Sequence, residues 1–152
     1  MFPESYRTAL IVMAIIAVIV YIALQYFKAG YGYLRTANWG PTIPNRPAWI
    51  LMECPVFIVM VALMIKYAAN TNMVTITMAT LFLIHYFQRS FIFPLMMRGK
   101  SKMPVAVMLM GLVFNTLNAY LIGGWLYSEA PAGMYGTAWL VSPQFITGTI
   151  IF

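Results

Sequence analysis

The chain has 152 residues, of which 62% are hydrophobic and only 8% are charged, whereas soluble domains carry about a quarter charged residues. This composition excludes an ordinary soluble domain and indicates an integral membrane protein with a single domain, residues 1–152. The net charge of +6 does not indicate a nucleic-acid partner, because the basic residues lie between apolar segments and read as topology signals.

Apolar runs and the breakers between them predict an all-α, polytopic membrane fold. Each of four runs is close to the ~20 residues that a helix needs to cross a bilayer. The first run is too long and too apolar for a signal peptide. A fifth run is too short to cross, so we expect the sequence to be the amino-terminal part of a longer protein. The predicted spans are approximately 8–28, 47–67, 73–97 and 104–127, with a partial span at 139–152.

The basic residues predict the orientation of these helices. Six Lys and Arg residues fall in the first and third loops, against two in the amino terminus and the second loop. Because cytoplasmic loops carry the excess of positive charge, the first and third loops are predicted to be cytoplasmic and the amino terminus non-cytoplasmic. The expected location is the endoplasmic reticulum of a eukaryote, or the inner or plasma membrane of a bacterium.

Glu53 interrupts the apolar run AWILMECPVFIVM, residues 48–60. It lies seven residues beyond Arg46, and so roughly 10 Å into the second span. Acidic side chains at such depth usually have a function, and burial favours the neutral acid, which donates a hydrogen bond. Pro55 is expected to kink the helix beside it. The alternative for Glu53 is a structural hydrogen bond to a neighbouring helix.

Three further polar residues share one side of the third span, because His85 and Tyr86 precede Arg89 by four and three residues. Arg89 is predicted to lie roughly 13 Å from the cytoplasmic end. One alternative for Arg89 is an ion pair with Glu53. For His85, a hydrogen bond between helices is at least as good an explanation as a catalytic role.

The remaining polar patterns have simpler explanations. Asn115 and Asn118 are three residues apart on the fourth span, which favours polar contacts between helices. The third loop, MRGKSKMP, offers cations to an anionic cofactor, although the orientation signal alone explains them. With one histidine and one cysteine, the sequence predicts neither a metal site nor a disulfide.

The motifs WGPTIPNRPAWILMECP and LFLIHYFQRSFIFPLMMRGK resemble the amino-terminal half of the steroid 5α-reductases. The segments YLIGGWL and WLVSPQFITGTIIF are similar to the same family further on. The resemblance covers roughly residues 30–152. It implies a seven-helix membrane fold with a non-cytoplasmic amino terminus, of which this chain would be the amino-terminal portion.

The resemblance also implies a reaction, the NADPH-dependent reduction of the C4–C5 double bond of 3-oxo-Δ4 steroids. Glu53 and Tyr86 match the residues that hold the 3-keto oxygen. Two buried donors at that oxygen would stabilise the negative charge that develops there. The chain alone is expected to lack most of the NADPH site.

Other positions match the family's binding residues. The resemblance assigns the cofactor to Arg89, Arg98 and Lys100, and the steroid cavity to Trp49 and Phe114, with Asn118 as a further candidate for substrate binding.

The chain departs from some members at two positions. Met52 stands where animal members carry glutamine, although plant-like members also carry methionine there, and Met110 stands where some members carry a cavity arginine. The steroid is therefore not specified. Two alternatives stay open: a related membrane reductase of enoyl-CoA or polyprenal, and a non-enzymatic four-helix transporter or assembly subunit in which Glu53 couples to protons.

Overall fold

The computed structural model describes residues 3–26 and 39–151, and this part of the chain is almost entirely helical. The end of the first predicted span, together with Lys28 and Arg35 of the first loop, lies outside the described residues. The helices are α1 (Glu4–Tyr26), α2 (Asn45–Lys66), α3 (Met73–Phe87), α4 (Phe93–Met96), α5 (Val105–Gly124) and α6 (Pro143–Ile151). The two short strands are β1 (Thr42–Pro44) and β2 (Lys102–Pro104).

Two helices continue into wider, π-helical turns. Gln88–Ile92 joins α3 to α4, and Trp125–Glu129 extends α5. The first has a cause in the sequence, because Pro94 has no backbone N–H and its ring conflicts with the carbonyl of Ser90, four residues earlier. An α-helical turn cannot pass this point unchanged, and a π-helical turn is one way around it.

Within the described residues, three helical segments are long and apolar enough to cross a membrane: Glu4–Tyr26, Asn45–Lys66 and Val105–Glu129. They correspond to the first, second and fourth predicted spans and indicate a membrane protein. The third predicted span holds α3, a π-helical turn and α4, which follow one another from Met73 to Met96. In the fifth predicted span, α6 begins at Pro143, after a 3₁₀ turn at Thr137–Val141.

The centre of the fold is the contact between α2 and α5, which run in the same direction. Every fourth residue on the facing side of α5 is small or polar, so the two backbones approach closely. At one end, Gly111 leaves space that the Met52 side chain occupies. At the other, Gly123 leaves space for Leu63 and Met60. The stripe on α5 consists of Gly111, Asn115, Ala119 and Gly123.

The antiparallel strand pair ties the starts of α2 and α5 together. Ile43 lies opposite Met103 in the ladder, and the Val105 N–H donates to the Pro41 carbonyl at 2.9 Å. Beside this pair, the Arg46 guanidinium donates to the Met97 carbonyl just after α4. The strand pair and the Arg46 hydrogen bonds therefore hold one end of three helices together. The predicted all-α fold did not include this strand pair.

At the opposite end, α1 is attached through its first turn. The Tyr6 hydroxyl donates to the Leu121 carbonyl of α5 at 3.0 Å, and its ring lies beside Gly124. The amino-terminal end of α1 thus lies at the far end of the molecule from the strand pair.

A side chain at position 123 is expected to separate α2 from α5. A Cβ there would lie 2.7 Å from the Leu63 side chain, so Gly123→Val should lower the free energy of unfolding by about 1–3 kcal/mol. Gly148→Val on α6 is the matched control, because nothing lies within 4 Å of its Cβ position. Thermal unfolding in detergent measures both, and equal melting temperatures would contradict the close approach.

Candidate active site

Glu53 and Arg89 form an ion pair between α2 and the π-helical turn after α3. The distance from Arg89 Nη2 to Glu53 Oε1 is 2.9 Å, and the exposed fractions of the two side chains are 43% and 3%. The ion pair that the sequence raised as an alternative for Arg89 is therefore present. The second carboxyl oxygen, Oε2, is buried and has no hydrogen-bond partner among the described residues.

Trp49 fixes the position of Arg89. Its indole N–H donates to the Arg89 backbone carbonyl at 3.2 Å, and its ring lies 5.4 Å from the guanidinium carbon, within the range of a cation–π contact. The Trp49 ring in turn packs edge-on against Phe93. The family resemblance assigned Trp49 to the cavity wall, and nothing in the sequence pattern indicated this hydrogen bond to a backbone carbonyl.

Tyr86 enters the same region from α3. Its ring packs against Phe82, with centroids 4.5 Å apart. Its hydroxyl contacts the Asn118 side chain of α5 and is close enough to Glu53 and Arg89 to interact with their charges. Four predicted site residues therefore lie close together, although they come from three helices and a π-helical turn. They are Glu53, Tyr86, Arg89 and Asn118. His85 packs edge-on against the Tyr86 ring, which leaves its role as a prediction.

Asn115 supports the backbone directly beside Glu53. Its side-chain amide is buried and donates to the Met52 carbonyl at 2.8 Å. The predicted polar contact between helices is confirmed for this residue.

Removing this bond is expected to loosen α2 where it carries the carboxyl. Asn115→Leu should lower the free energy of unfolding by about 0.5–1.5 kcal/mol, since hydrogen bonds between membrane helices contribute that much. Thr116→Val is the control, because the Thr116 hydroxyl donates only within its own helix, to the Leu112 carbonyl. Reversible unfolding in mixed micelles compares the two, and a smaller loss for Asn115→Leu would refute this role.

A cavity of about 670 Å³ lies beside the ion pair, between α1, α2 and α5. Its volume is in the range of small-molecule sites. Its walls are apolar except at Arg89, and Glu53, Tyr86 and Asn118 are not among the residues that line it. Two neighbours of Glu53 do line the cavity: Met52, which precedes it in the chain, and its ion-pair partner Arg89. The predicted residues in its wall are Trp49, Arg89 and Phe114.

The predicted cofactor cations Arg98 and Lys100 are exposed, on the loop between α4 and β2. In the part of the chain that the structure describes, neither pairs with a carboxylate. Exposed cations without a carboxylate partner are suited to phosphate groups. Among residues 3–26 and 39–151, no cluster of His, Cys, Asp or Glu could hold a metal ion.

Three curated relatives of this chain are named as a 3-oxo-5-alpha-steroid 4-dehydrogenase or a steroid 5-alpha-reductase. The 3-oxo-5-alpha-steroid 4-dehydrogenase 1 of Mus musculus is 32% identical over 135 residues, which are 88% of this chain and 52% of the relative. The steroid 5-alpha-reductase DET2 of Gossypium hirsutum is 31% identical over 153 residues, 97% of this chain and 58% of the relative. Over about nine-tenths of its length, the chain is similar to steroid 5-alpha-reductases.

This steroid 5-alpha-reductase homologue spans about half the length of the curated relatives it matches. The 3-oxo-5-alpha-steroid 4-dehydrogenase 1 of Bos taurus is also matched over about half of its length. It is 28% identical over 90% of this chain and 54% of the relative. No model of a protein family matches the chain. The resemblance that the sequence motifs indicate is confirmed by these relatives.

Proposed function

We propose that this chain forms the steroid-binding part of a membrane-embedded, NADPH-dependent reductase of the C4–C5 double bond of 3-oxo-Δ4 steroids. The observation that carries the proposal is the Glu53 carboxyl. One of its oxygens is held by Arg89 at 2.9 Å, and the other is buried without a partner among the described residues. A buried carboxyl oxygen in this state is suited to the oxygen of a lipophilic ketone.

The proposed role uses the neutral carboxylic acid, which is the form that can donate a hydrogen bond. In the neutral acid, Oε1 accepts the hydrogen bond from Arg89, and the proton resides on Oε2. Oε2–H then donates to the 3-keto oxygen of the steroid.

Tyr86 supplies the second donor. Its hydroxyl contacts Asn118 and lies within range of the Glu53 and Arg89 charges, and in the proposal Asn118 orients it toward the same oxygen. When hydride adds to C5, electron density moves through C4 and C3 to the keto oxygen, and C4 later takes a proton. Two preorganised donors stabilise the charge on that oxygen, and each such donor contributes about 10²–10³-fold in rate.

The proposed NADPH site depends on exposed basic residues. NADPH, when bound, supplies the hydride for C5. Arg98 and Lys100 are exposed and lack carboxylate partners in the described chain, which fits them to hold its phosphates. Arg89 lies in the wall of the cavity. In the proposal it stands between the steroid and the bound cofactor.

The proposed topology has four crossings and the start of a fifth in one transmembrane domain, as the amino-terminal portion of the seven-helix fold. The helical backbone from Met73 to Met96, at 1.5 Å per residue, is roughly 36 Å long and exceeds the ~30 Å hydrocarbon core. Arg46, Arg98 and Lys100 lie around the strand pair, and the start of α1 lies at the other end. This separation supports a cytoplasmic strand pair and a non-cytoplasmic amino terminus, in a eukaryotic endoplasmic reticulum or a bacterial plasma membrane.

The direct test is turnover by the complete gene product in membranes. With NADPH and a 3-oxo-Δ4 steroid, we expect the 5α-dihydro steroid and an equal amount of oxidised cofactor. An enoyl-CoA and a polyprenal in the same assay separate the related reductases. Absence of steroid reduction, with turnover of either other substrate, would overturn the substrate class.

Tyr86→Phe is expected to lower kcat for the steroid by about 10²–10³-fold, because it removes one of the two donors at the keto oxygen. Tyr135→Phe is the matched control, since the Tyr135 hydroxyl accepts from the Trp125 indole at 2.8 Å near the far end of α5. Steady-state kinetics with both variants decide the role. If the two variants had the same kcat, Tyr86 would not act at the keto oxygen.

A further inference from the structure

Ser90 has a buried hydroxyl that the proposed function does not use. The residue is completely buried in the π-helical turn, and its Oγ has no hydrogen-bond partner within the described residues. Four helical threonines of this chain behave differently, because each of them donates to the carbonyl four residues earlier. These threonines are Thr8, Thr77, Thr116 and Thr149. A buried polar group without a partner in a native protein requires an explanation.

The π-helical turn accounts for the missing bond to the backbone. In an α-helix, a serine hydroxyl reaches the carbonyl four residues before it, which here belongs to Tyr86. The wider turn over Gln88–Ile92 changes this spacing. The Ser90 hydroxyl is left in the interior between helices.

Packing between α2 and the α3–α4 segment places Ser90 at the level of Glu53. Toward one end, Trp49 packs against Phe93. Toward the other, Met60 and Phe82 belong to one core cluster. The segments therefore run antiparallel, and Glu53 and Ser90 occupy the level between these contacts.

Both residues also point into the interior at this level. Glu53 is 2% exposed and Ser90 is 0% exposed. In the part of the chain that the structure describes, four buried side-chain polar atoms lack a hydrogen-bond partner. Two of them are Glu53 Oε2 and Ser90 Oγ, and the other two belong to Tyr127 and Trp139. Those two residues follow α5, at the far end of the molecule. Glu53 Oε2 and Ser90 Oγ are thus the two unsatisfied atoms near the ion pair.

We propose that Ser90 is a positioning residue for the Glu53 carboxyl, with its hydroxyl donating a hydrogen bond to Oε2. A rotation of χ1 between staggered rotamers moves Oγ about the Cα–Cβ bond without moving the backbone. In the neutral acid, Oε2 accepts from Ser90 and donates its own proton outward. The Ser90 bond polarises the carboxyl O–H, which strengthens the bond that it donates. The hydrogen bond stands independently of the reductase proposal, whereas its catalytic effect rests on it.

Infrared spectroscopy of this chain in lipid bilayers tests the hydrogen bond without any turnover. The band of the Glu53 carboxyl is identified as the one that Glu53→Gln removes. Ser90→Ala and the nearly isosteric Ser90→Cys are both expected to shift it. Thr116→Ala, which removes a hydroxyl that bonds within α5, should leave it in place. A Glu53 band at the same frequency in both Ser90 variants would overturn the proposal.

Kinetics of the complete gene product test the consequence for catalysis. Ser90→Ala is expected to lower kcat for a 3-oxo-Δ4 steroid by about 5–10-fold with little change in KM, because one positioning hydrogen bond is lost. A wild-type protein without steroid reduction would refute the proposed function, and the infrared bands would still decide on Ser90. A shifted band with an unchanged kcat would overturn the positioning role.

Discussion

Glu53→Gln is expected to lower kcat of the complete gene product for a 3-oxo-Δ4 steroid by about 10²–10³-fold. The amide keeps the shape of the side chain and the acceptor that faces Arg89 at 2.9 Å. An amide N–H is a much weaker acid than a carboxyl O–H, however, so it stabilises a developing enolate oxygen less. The loss should appear in kcat, because the interaction strengthens mainly in the transition state.

Glu129→Gln provides the matched control for this substitution. Glu129 ends the π-helical extension of α5, where its carboxylate accepts a hydrogen bond from Ser128 at 2.6 Å. The same chemical change there is expected to leave kcat and KM as in the wild type. Glu53→Gln with wild-type kcat would remove the carboxyl from the reaction and favour a structural role for the ion pair.

Apolar runs in the sequence predict the helices well because burial in a bilayer depends mainly on composition. The second and fourth runs became α2 and α5, with starts shifted by one or two residues. The strand pair β1–β2 was missed, because three-residue strands carry no periodic signal and Ile43 meets Met103 across 60 positions of sequence. The π-helical turns were missed as well, since the effect of Pro94 depends on how the surrounding backbone relaxes.

The site was predictable in part. A carboxylate and a guanidinium within apolar spans each need a partner. For this reason an ion pair between Glu53 and Arg89 could be predicted from the sequence as one alternative. The Trp49 bond to the Arg89 carbonyl depends on the distance between two helices, which no local pattern contains. Ser90 is a small polar residue in a helical run, and only its burial separates it from an ordinary helix serine.

Arg89→Met is expected to destabilise the chain by about 2 kcal/mol. Removing one partner of a buried ion pair costs about 3–5 kcal/mol, and the smaller value follows because 43% of the Arg89 side chain is exposed. Glu53 Oε1 would then lose its partner in the interior, and the Trp49 ring would lose its cation–π contact. Reversible unfolding in mixed micelles measures the loss, and Lys100→Met, on an exposed cation, should change the stability by less than about 0.5 kcal/mol.

The double variant Glu53→Gln/Arg89→Met separates the pair from its surroundings. Because an amide costs less to bury than a carboxyl group that has lost its guanidinium partner, the double variant should be more stable than Arg89→Met alone. The resulting coupling energy should be about 1–2 kcal/mol, as for contacting residues in one network. Additive losses would mean that the two groups do not interact in the membrane. The 2.9 Å contact would then not be what holds the Glu53 carboxyl in place.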